Sequence, residues 1–183
     1  WRDEARSPMN AAQAPDHFFD SEYWGAIATI APDRYQFMEK LAAKKIGLAK
    51  IGYLPYAIIE SYGRLVNAFR QWRNAKTAAG REGARTNAVH YAGIMGHYVG
   101  DGSQPLHLTI HYNGWADNTP NPNEYTKDRK LHGRFEIGFL EAAIELSSVK
   151  PKVMPPKPLA DVFDSVRKYL AETFAEVAPL YEL

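Results

Sequence analysis

The chain has 183 residues, of which 45% are hydrophobic and 23% are charged, and its formal net charge is +1. This length suits one domain with a proper core, and the balanced charge argues against binding nucleic acid by overall electrostatic attraction, without excluding a local basic rim. There is no cysteine, which excludes disulfides and thiolate zinc sites, and there is no run of 18 apolar residues that would predict a membrane span.

Hydrophobic residues recur every three or four positions along most of the chain, which is the periodicity of amphipathic helices. No stretch shows the sustained alternation of a half-buried strand. We therefore predict an all-α, single-domain helical bundle over residues 1–183, with helices over 33–50, 55–72, 84–101, 128–147 and 158–178. The helix over 84–101 is apolar on most faces, so we expect it to be buried.

Two segments are predicted to be loops. Residues 112–127 are dense in Asn, Pro, Gly and Asp, and residues 148–157 carry three prolines that favour an irregular connector before the last helix. The aromatic residues of the first loop could contact a ligand or could simply attach the loop to the domain; they are Tyr112, Trp115 and Tyr125.

The segment 96–107 carries the most informative pattern. His97 and Asp101 are four residues apart, so on a helix they project from one face, one turn apart. Pro105 cannot continue that helix, and the turn that it predicts would bring His107 back toward the same site. Nitrogen and oxygen donors without thiolates suit a catalytic zinc, which keeps one coordination position open for water.

A second pair, His132 and Glu136, repeats this four-residue spacing. Each observation also has an ordinary structural explanation, because a lone histidine on an apolar helix face is usually a hydrogen-bonded core residue and an isolated His/acid pair is usually a surface ion pair. Two pairs and a third histidine beyond a helix-ending turn are harder to explain in that way. The spacing alone leaves a metal site and purely structural roles about equally favoured.

These motifs resemble the zinc-dependent phospholipase C and single-strand-specific nuclease superfamily. Its signature is a helical H-x-x-x-D, then Q-P-L-H, then H-x-x-x-D/E, and this chain has all three motifs at 97–101, 104–107 and 132–136. The spacing of Asp3 and His17, and the helix start at Gly52-Tyr53-Leu54-Pro55-Tyr56, are also similar to the family.

The resemblance implies a particular set of zinc ligands. A first zinc would be held by Asp3, His17, His97 and Asp101, and a second by His107, His132 and Glu136. Asp101 would also reach a third zinc, whose other family ligands include an N-terminal tryptophan. Trp1 stands only two residues before Asp3, so we expect the chain to lack the first helical stretch of the family, and with it the rest of that third site.

The function implied is zinc-dependent hydrolysis of phosphate esters, in a secreted or periplasmic and monomeric protein. Divalent ions lower the pKa of a bound water toward about 7 and neutralise charge on phosphoryl oxygens. We expect Asp3 and Asp101 to be the catalytic residues, with Asp3 orienting or deprotonating the attacking water. Glu136 resembles the phospholipase branch, since nucleases usually have aspartate there, but the substrate class (phospholipid, or single-stranded nucleic acid or nucleotide) stays open.

Two other functions are weighed against this one. The first is a non-catalytic helical binding module that keeps zinc only for structure, and the second is a metal-free bundle. Two histidines stay unassigned: His90 could orient a ligand or pack in the core, and His111 could contact a substrate phosphate or lie in a solvated loop.

Overall fold

A computed structural model describes residues 10–183, so Trp1 and Asp3 lie outside the described residues. The described residues form helices and no strand, which confirms the all-α class. The α-helices are α1 (Asn10–Gln13), α2 (Arg34–Ala43), α3 (Leu54–Asn74), α4 (Ala78–Gly102), α5 (Leu131–Gly133), α6 (Leu140–Ala143), α7 (Leu146–Val149), α8 (Val162–Ala175) and α9 (Val177–Tyr181). Short 3₁₀ turns occupy Ala14–His17, Ser21–Tyr23, Ile27–Thr29, Pro105–His107 and Lys150–Lys152, and Arg134–Phe139 is a π-helix between α5 and α6.

The long helices α3 and α4 pack along each other, and α8 packs across α3. Their starts follow ordinary capping rules: the Thr77 hydroxyl accepts a hydrogen bond from Gly80 N at the start of α4, and the Asp161 carboxylate accepts one from Asp164 N at the start of α8. The core lies between these helices, α2 and the turns before it, and its fully buried side chains include Phe19, Phe37, Leu41, Ile51, Leu54, Leu108 and Leu170.

Helix α2 ends seven residues earlier than the sequence predicted. Lys45 takes a left-handed conformation (φ 57°), and the amides of Lys45 and Ile46 donate to the carbonyls of Ala42 and Leu41. This is a Schellman motif, which usually has glycine where Lys45 stands. The end of α2 therefore cannot be recognised from the sequence. The same helix buries Phe37 and Leu41, whereas Tyr35 is 77% exposed.

The prediction that the helix over 84–101 is buried is wrong. Over that span only Ala84, Ala88 and Asp101 are buried, and Val89 is 67% exposed. Helix α3 covers the small side chains on one side of α4. The apolar residues on the other faces of α4 are not buried by any of the described residues.

The predicted helix over 128–147 is divided into α5, the π-helix and α6, and none of the side chains in these three pieces is fully buried. The predicted connector 148–157 holds the end of α7 and one 3₁₀ turn. None of the helices in residues 10–183 combines the length and apolar character needed to cross a membrane.

Candidate metal centre

Six of the seven candidate ligands come together in two groups. The first group is His17, His97 and Asp101, and the second group is His107, His132 and Glu136. Within each group, one potential ligand atom per residue lies within 4.8 Å of the others. The seventh candidate, Asp3, lies outside the described residues.

The first group has the spacing of ligands around a small ion. Asp101 Oδ2 lies 2.8 Å from His17 Nδ1 and 3.3 Å from His97 Nε2, and the two histidine nitrogens are 3.1 Å apart. Two ligands bound at 2.0–2.1 Å around a tetrahedral zinc lie about 3.3–3.4 Å apart, so these separations are close to what an ion would impose.

The second group is similar. His107 Nε2 lies 3.1 Å from His132 Nε2 and 3.7 Å from Glu136 Oε2, and His132 Nε2 lies 2.6 Å from Glu136 Oε2. In each group two imidazoles and one carboxylate converge, and this ligand set occurs in catalytic zinc sites that keep a further position open. The donor chemistry and the spacing therefore fit a divalent transition metal ion.

Packing of the C-terminal end of α4 against α8 fixes the position of Asp101. Gly102 packs so closely against α8 that a Cβ atom there would lie 2.9 Å from Leu170 Cδ2 and 3.0 Å from Tyr169 Cε1. Tyr169 also donates a hydrogen bond from its hydroxyl to the carbonyl of Val99. The helix end therefore cannot move away from α8 without opening these contacts.

The two groups are held side by side by backbone hydrogen bonds. Phe19 N donates to His107 O at 2.8 Å, and Ser21 N donates to Leu108 O at 3.1 Å. His107 itself lies in the 3₁₀ turn that follows α4, and Gln104 caps that turn by accepting a hydrogen bond from Leu106 N. The sequence prediction that Pro105 ends the helix and returns His107 toward the site agrees with this geometry.

An ion-pair network that the sequence did not reveal supports the turn carrying His17. Arg34 pairs with Asp16 at 2.7 Å and with Glu60 at 2.8 Å, and its guanidinium lies over the ring of Tyr53. The network joins the turn to α2 and α3. Its members are 18 and 26 residues apart, and no local pattern predicts such pairs.

His132 and Glu136 meet even though the helix between them is irregular. Glu136 lies in the π-helix, directly after α5, which carries His132. Single π-helical turns occur often at functional sites. The amide of His132 also donates to Asn113 Oδ1 at 3.4 Å, which ties α5 to the loop over 112–127.

The local environment favours ligand-competent protonation states for His97, His132 and Asp101, whereas it favours the protonated form of His107. Burial lowers the pKa of His97 and of His132, which keeps both imidazoles neutral near neutral pH. Burial alone would raise the pKa of Asp101, but the neighbouring His107 and His17 outweigh it and lower the pKa. Burial alone would lower the pKa of His107, but contact with Asp101 outweighs it and raises the pKa.

A cavity of about 410 Å³ adjoins both groups. Its lining includes His17, His107 and His132, together with Asp20, Lys50 and Tyr112. Asp20 and Lys50 were not among the sequence candidates. Asp20 follows His17 by three residues, which is only a weak indication that it lies near the site. No sequence feature indicates that Lys50 does.

The remaining candidates are the aromatic residues of the first loop and the two unassigned histidines. Trp115 stacks on His111 with ring centroids 3.6 Å apart and packs against Tyr125 and Tyr181, so these rings hold the loop on the domain. His111 is buried, and the expectation of a solvated loop histidine is wrong. His90 is exposed, so the expectation that it packs in the core is also wrong.

No family model matches the chain, and neither a curated protein nor a solved structure is significantly similar to it.

Proposed function

We propose that this protein is a zinc-dependent hydrolase of phosphate esters. The observation that supports this most directly is the pair of His/His/carboxylate groups, joined through the contact between Asp101 Oδ1 and His107 Nδ1 at 3.3 Å. Pairs of adjacent divalent ions occur in phosphatases and nucleases, which cleave phosphate esters. Bound zinc ions would lower the pKa of a water nucleophile and neutralise charge on the phosphoryl oxygens.

The residues of the chain would have the following roles. His17, His97 and Asp101 would hold a first ion, with Asp3 proposed as a further ligand that would also orient the attacking water. His107, His132 and Glu136 would hold a second ion, which would supply positive charge for the leaving oxygen. Lys50, at the cavity wall, supplies a positive charge for a substrate phosphate.

The test combines metal content with hydrolysis of bis(p-nitrophenyl) phosphate. We expect about two zinc ions per chain and measurable hydrolysis in the wild type. Asp101→Asn should lose bound metal and should reduce the rate by more than about 100-fold, beyond what loss of an outer hydrogen bond to a ligand usually costs.

His90→Ala is the matched control, because His90 is an exposed histidine on the same helix and belongs to neither group. It should keep the wild-type metal content and rate. Equal metal content and equal rates in wild type and Asp101→Asn would reject the proposal.

The substrate class is tested with two natural phosphodiesters. We favour a phospholipid because Glu136 resembles the phospholipase branch of the family that the sequence resembles. Release of a phosphorylated headgroup from phosphatidylcholine, with little cleavage of single-stranded DNA, would support this choice. The reverse ratio would identify a nuclease-like enzyme with the same metal chemistry.

The alternative is a helical binding module that is stabilised by zinc and has no catalysis. It predicts stoichiometric metal and no hydrolysis of any phosphodiester tested. X-ray absorption at the zinc edge separates the two, because a structural site has four protein ligands and a catalytic site has a water among its ligands.

A further inference from the structure

Asp101 presents its two carboxylate oxygens to different groups. Oδ2 faces His17 and His97 of the first group, whereas Oδ1 lies 3.3 Å from Nδ1 of His107, which belongs to the second group. The side chain is only 10% exposed, so the direction of both oxygens is restricted by packing. Asp101 contributes no ligand atom to the second group.

The other nitrogen of His107 is the one that joins the second group. Its Nε2 lies 3.1 Å from His132 Nε2. A neutral imidazole carries one hydrogen, and a metal can bind only the nitrogen that lacks it. Nδ1 is buried and makes no hydrogen bond of strict geometry with the described residues, so the Asp101 carboxylate 3.3 Å away would hold a hydrogen there through a long, charge-assisted contact. Such a contact would leave the Nε2 lone pair directed at the second group.

We propose that Asp101 is a positioning residue for the second metal group, acting through His107, and that it thereby couples the two groups. The carboxylate fixes the tautomer and the ring orientation of His107. Removing it therefore weakens metal binding at a group to which it supplies no ligand. This inference rests on the metal binding assumed in the proposed function, but it does not require hydrolysis.

A different polar group competes with Asp101 for the hydrogen of the His107 imidazole. The backbone of His17 also interacts with the His107 imidazole. If this contact alone fixed the tautomer, Asp101 would not affect the second group. The experiment therefore has to measure the second group without the first.

The double variant His17→Ala/His97→Ala provides that background, because it removes two of the three described ligands of the first group and leaves Asp101 and the second group intact. Cobalt(II) is the probe, and its visible absorption gives the dissociation constant of the remaining group. Glu136→Gln in this background should abolish the signal, which identifies it as the second group. A signal that survives Glu136→Gln would overturn the inference.

Asp101→Ala and Asp101→Asn are then added to the same background. We expect Asp101→Ala to raise the cobalt dissociation constant of the second group about 10–100-fold, the usual range for losing a carboxylate that orients a ligand histidine. Asp101→Asn keeps an acceptor oxygen and should recover part of that loss. An unchanged dissociation constant in both variants would overturn the inference, and equal losses would assign the effect to charge alone and also overturn it.

A spectroscopic measurement covers the case in which a variant folds poorly. In metal-free protein labelled with ¹⁵N histidine, at a pH high enough for His107 to be neutral, this residue should carry its hydrogen on Nδ1, and Asp101→Asn should shift the tautomer balance toward Nε2. An Nε2-protonated His107 in the wild type would contradict the proposed role. If hydrolysis is absent while the cobalt result holds, the proposed function fails and this inference stands.

Discussion

Asp20 lines the cavity beside both metal groups, three residues after His17. The pKa of its carboxyl is raised to about 7, mainly by burial and in addition by the negative charge of Glu22, while Lys50 acts in the opposite direction. The carboxyl therefore changes charge near neutral pH, whereas an ordinary aspartate would be ionised well below it. A half-buried carboxyl of this kind opposes folding when it has to ionise.

The sign of its effect on stability follows from proton binding. The unfolded chain releases the Asp20 proton near pH 3.8 and the folded protein near pH 7, so the folded state binds more protons in between. Stability from this group is therefore fully present below about pH 4 and is lost as the pH rises to 7. Asp20→Asn should be more stable than wild type at pH 8 by about 2–4 kcal/mol, and the difference should vanish near pH 4.

Urea unfolding at the two pH values, with a chelator present, measures this difference. Asp117→Asn is the control, because Lys127 and Arg129 lower the pKa of that carboxyl. It should show no gain at pH 8. Parallel pH profiles for Asp20→Asn and wild type would contradict the interpretation.

At the scale of elements, the segment before α3 fixes the turn that carries His17. Gly52 has φ +83°, and a Cβ atom there would lie 2.1 Å from the carbonyl oxygen of Phe18. Around this contact Asp20 N donates to Ile51 O, Tyr53 N to Pro15 O and Leu54 N to Phe18 O. Only glycine fits both the backbone angle and the close approach.

Gly52→Ala should therefore lower the free energy of unfolding by at least about 2–4 kcal/mol, because the strained φ and the clash add. It should also weaken metal binding at the first group, since Phe18 follows His17 directly. Gly63→Ala is the control: it lies in α3 with no atom within 4 Å of the added Cβ, and it should stabilise by about 0.5–1 kcal/mol. Similar effects of the two substitutions on stability and metal affinity would refute this assignment.

The sequence predicted elements best where the local signal is strong. The start of α3 at Leu54 agrees with the helix predicted from Pro55, because proline is favoured in a first helical turn. The end of α2 could not be predicted, because a lysine, Lys45, takes the left-handed position that glycine usually marks. The burial of α4 could not be predicted either, because the exposure of its side chains depends on which helices pack beside it.

At the scale of the whole molecule, the candidate site combines local and distant information. The pairs His97/Asp101 and His132/Glu136 could be predicted because residues four apart share a helix face. The return of His107 toward Asp101 could also be predicted from the turn at Pro105. The hydrogen bond from Phe19 N to His107 O could not, because it joins segments 88 residues apart. Asp3 stays a prediction.

The second His/His/carboxylate group also joins a weakly packed part of the molecule to the rest. None of the side chains in α5, the π-helix and α6 is fully buried, and Ile137, Phe139 and Leu140 are each at least 45% exposed. His132 and Glu136 lie in this region, whereas His107 lies against the core through its buried neighbours Leu106 and Leu108. An ion shared by the three would attach residues 131–143 to the core.

Zinc should therefore stabilise the protein and protect this region in particular. An ion at one hundred times its dissociation constant contributes about 2.7 kcal/mol, and for a domain of this size that raises Tm by about 5–11 °C per group. Chelation should reverse the rise and speed amide exchange over 131–143. Glu136→Gln should lose the protection of that segment, while His97→Ala, in the first group, should leave it largely intact. A Tm that does not respond to zinc or chelator would instead indicate a metal-free bundle whose histidines serve only packing.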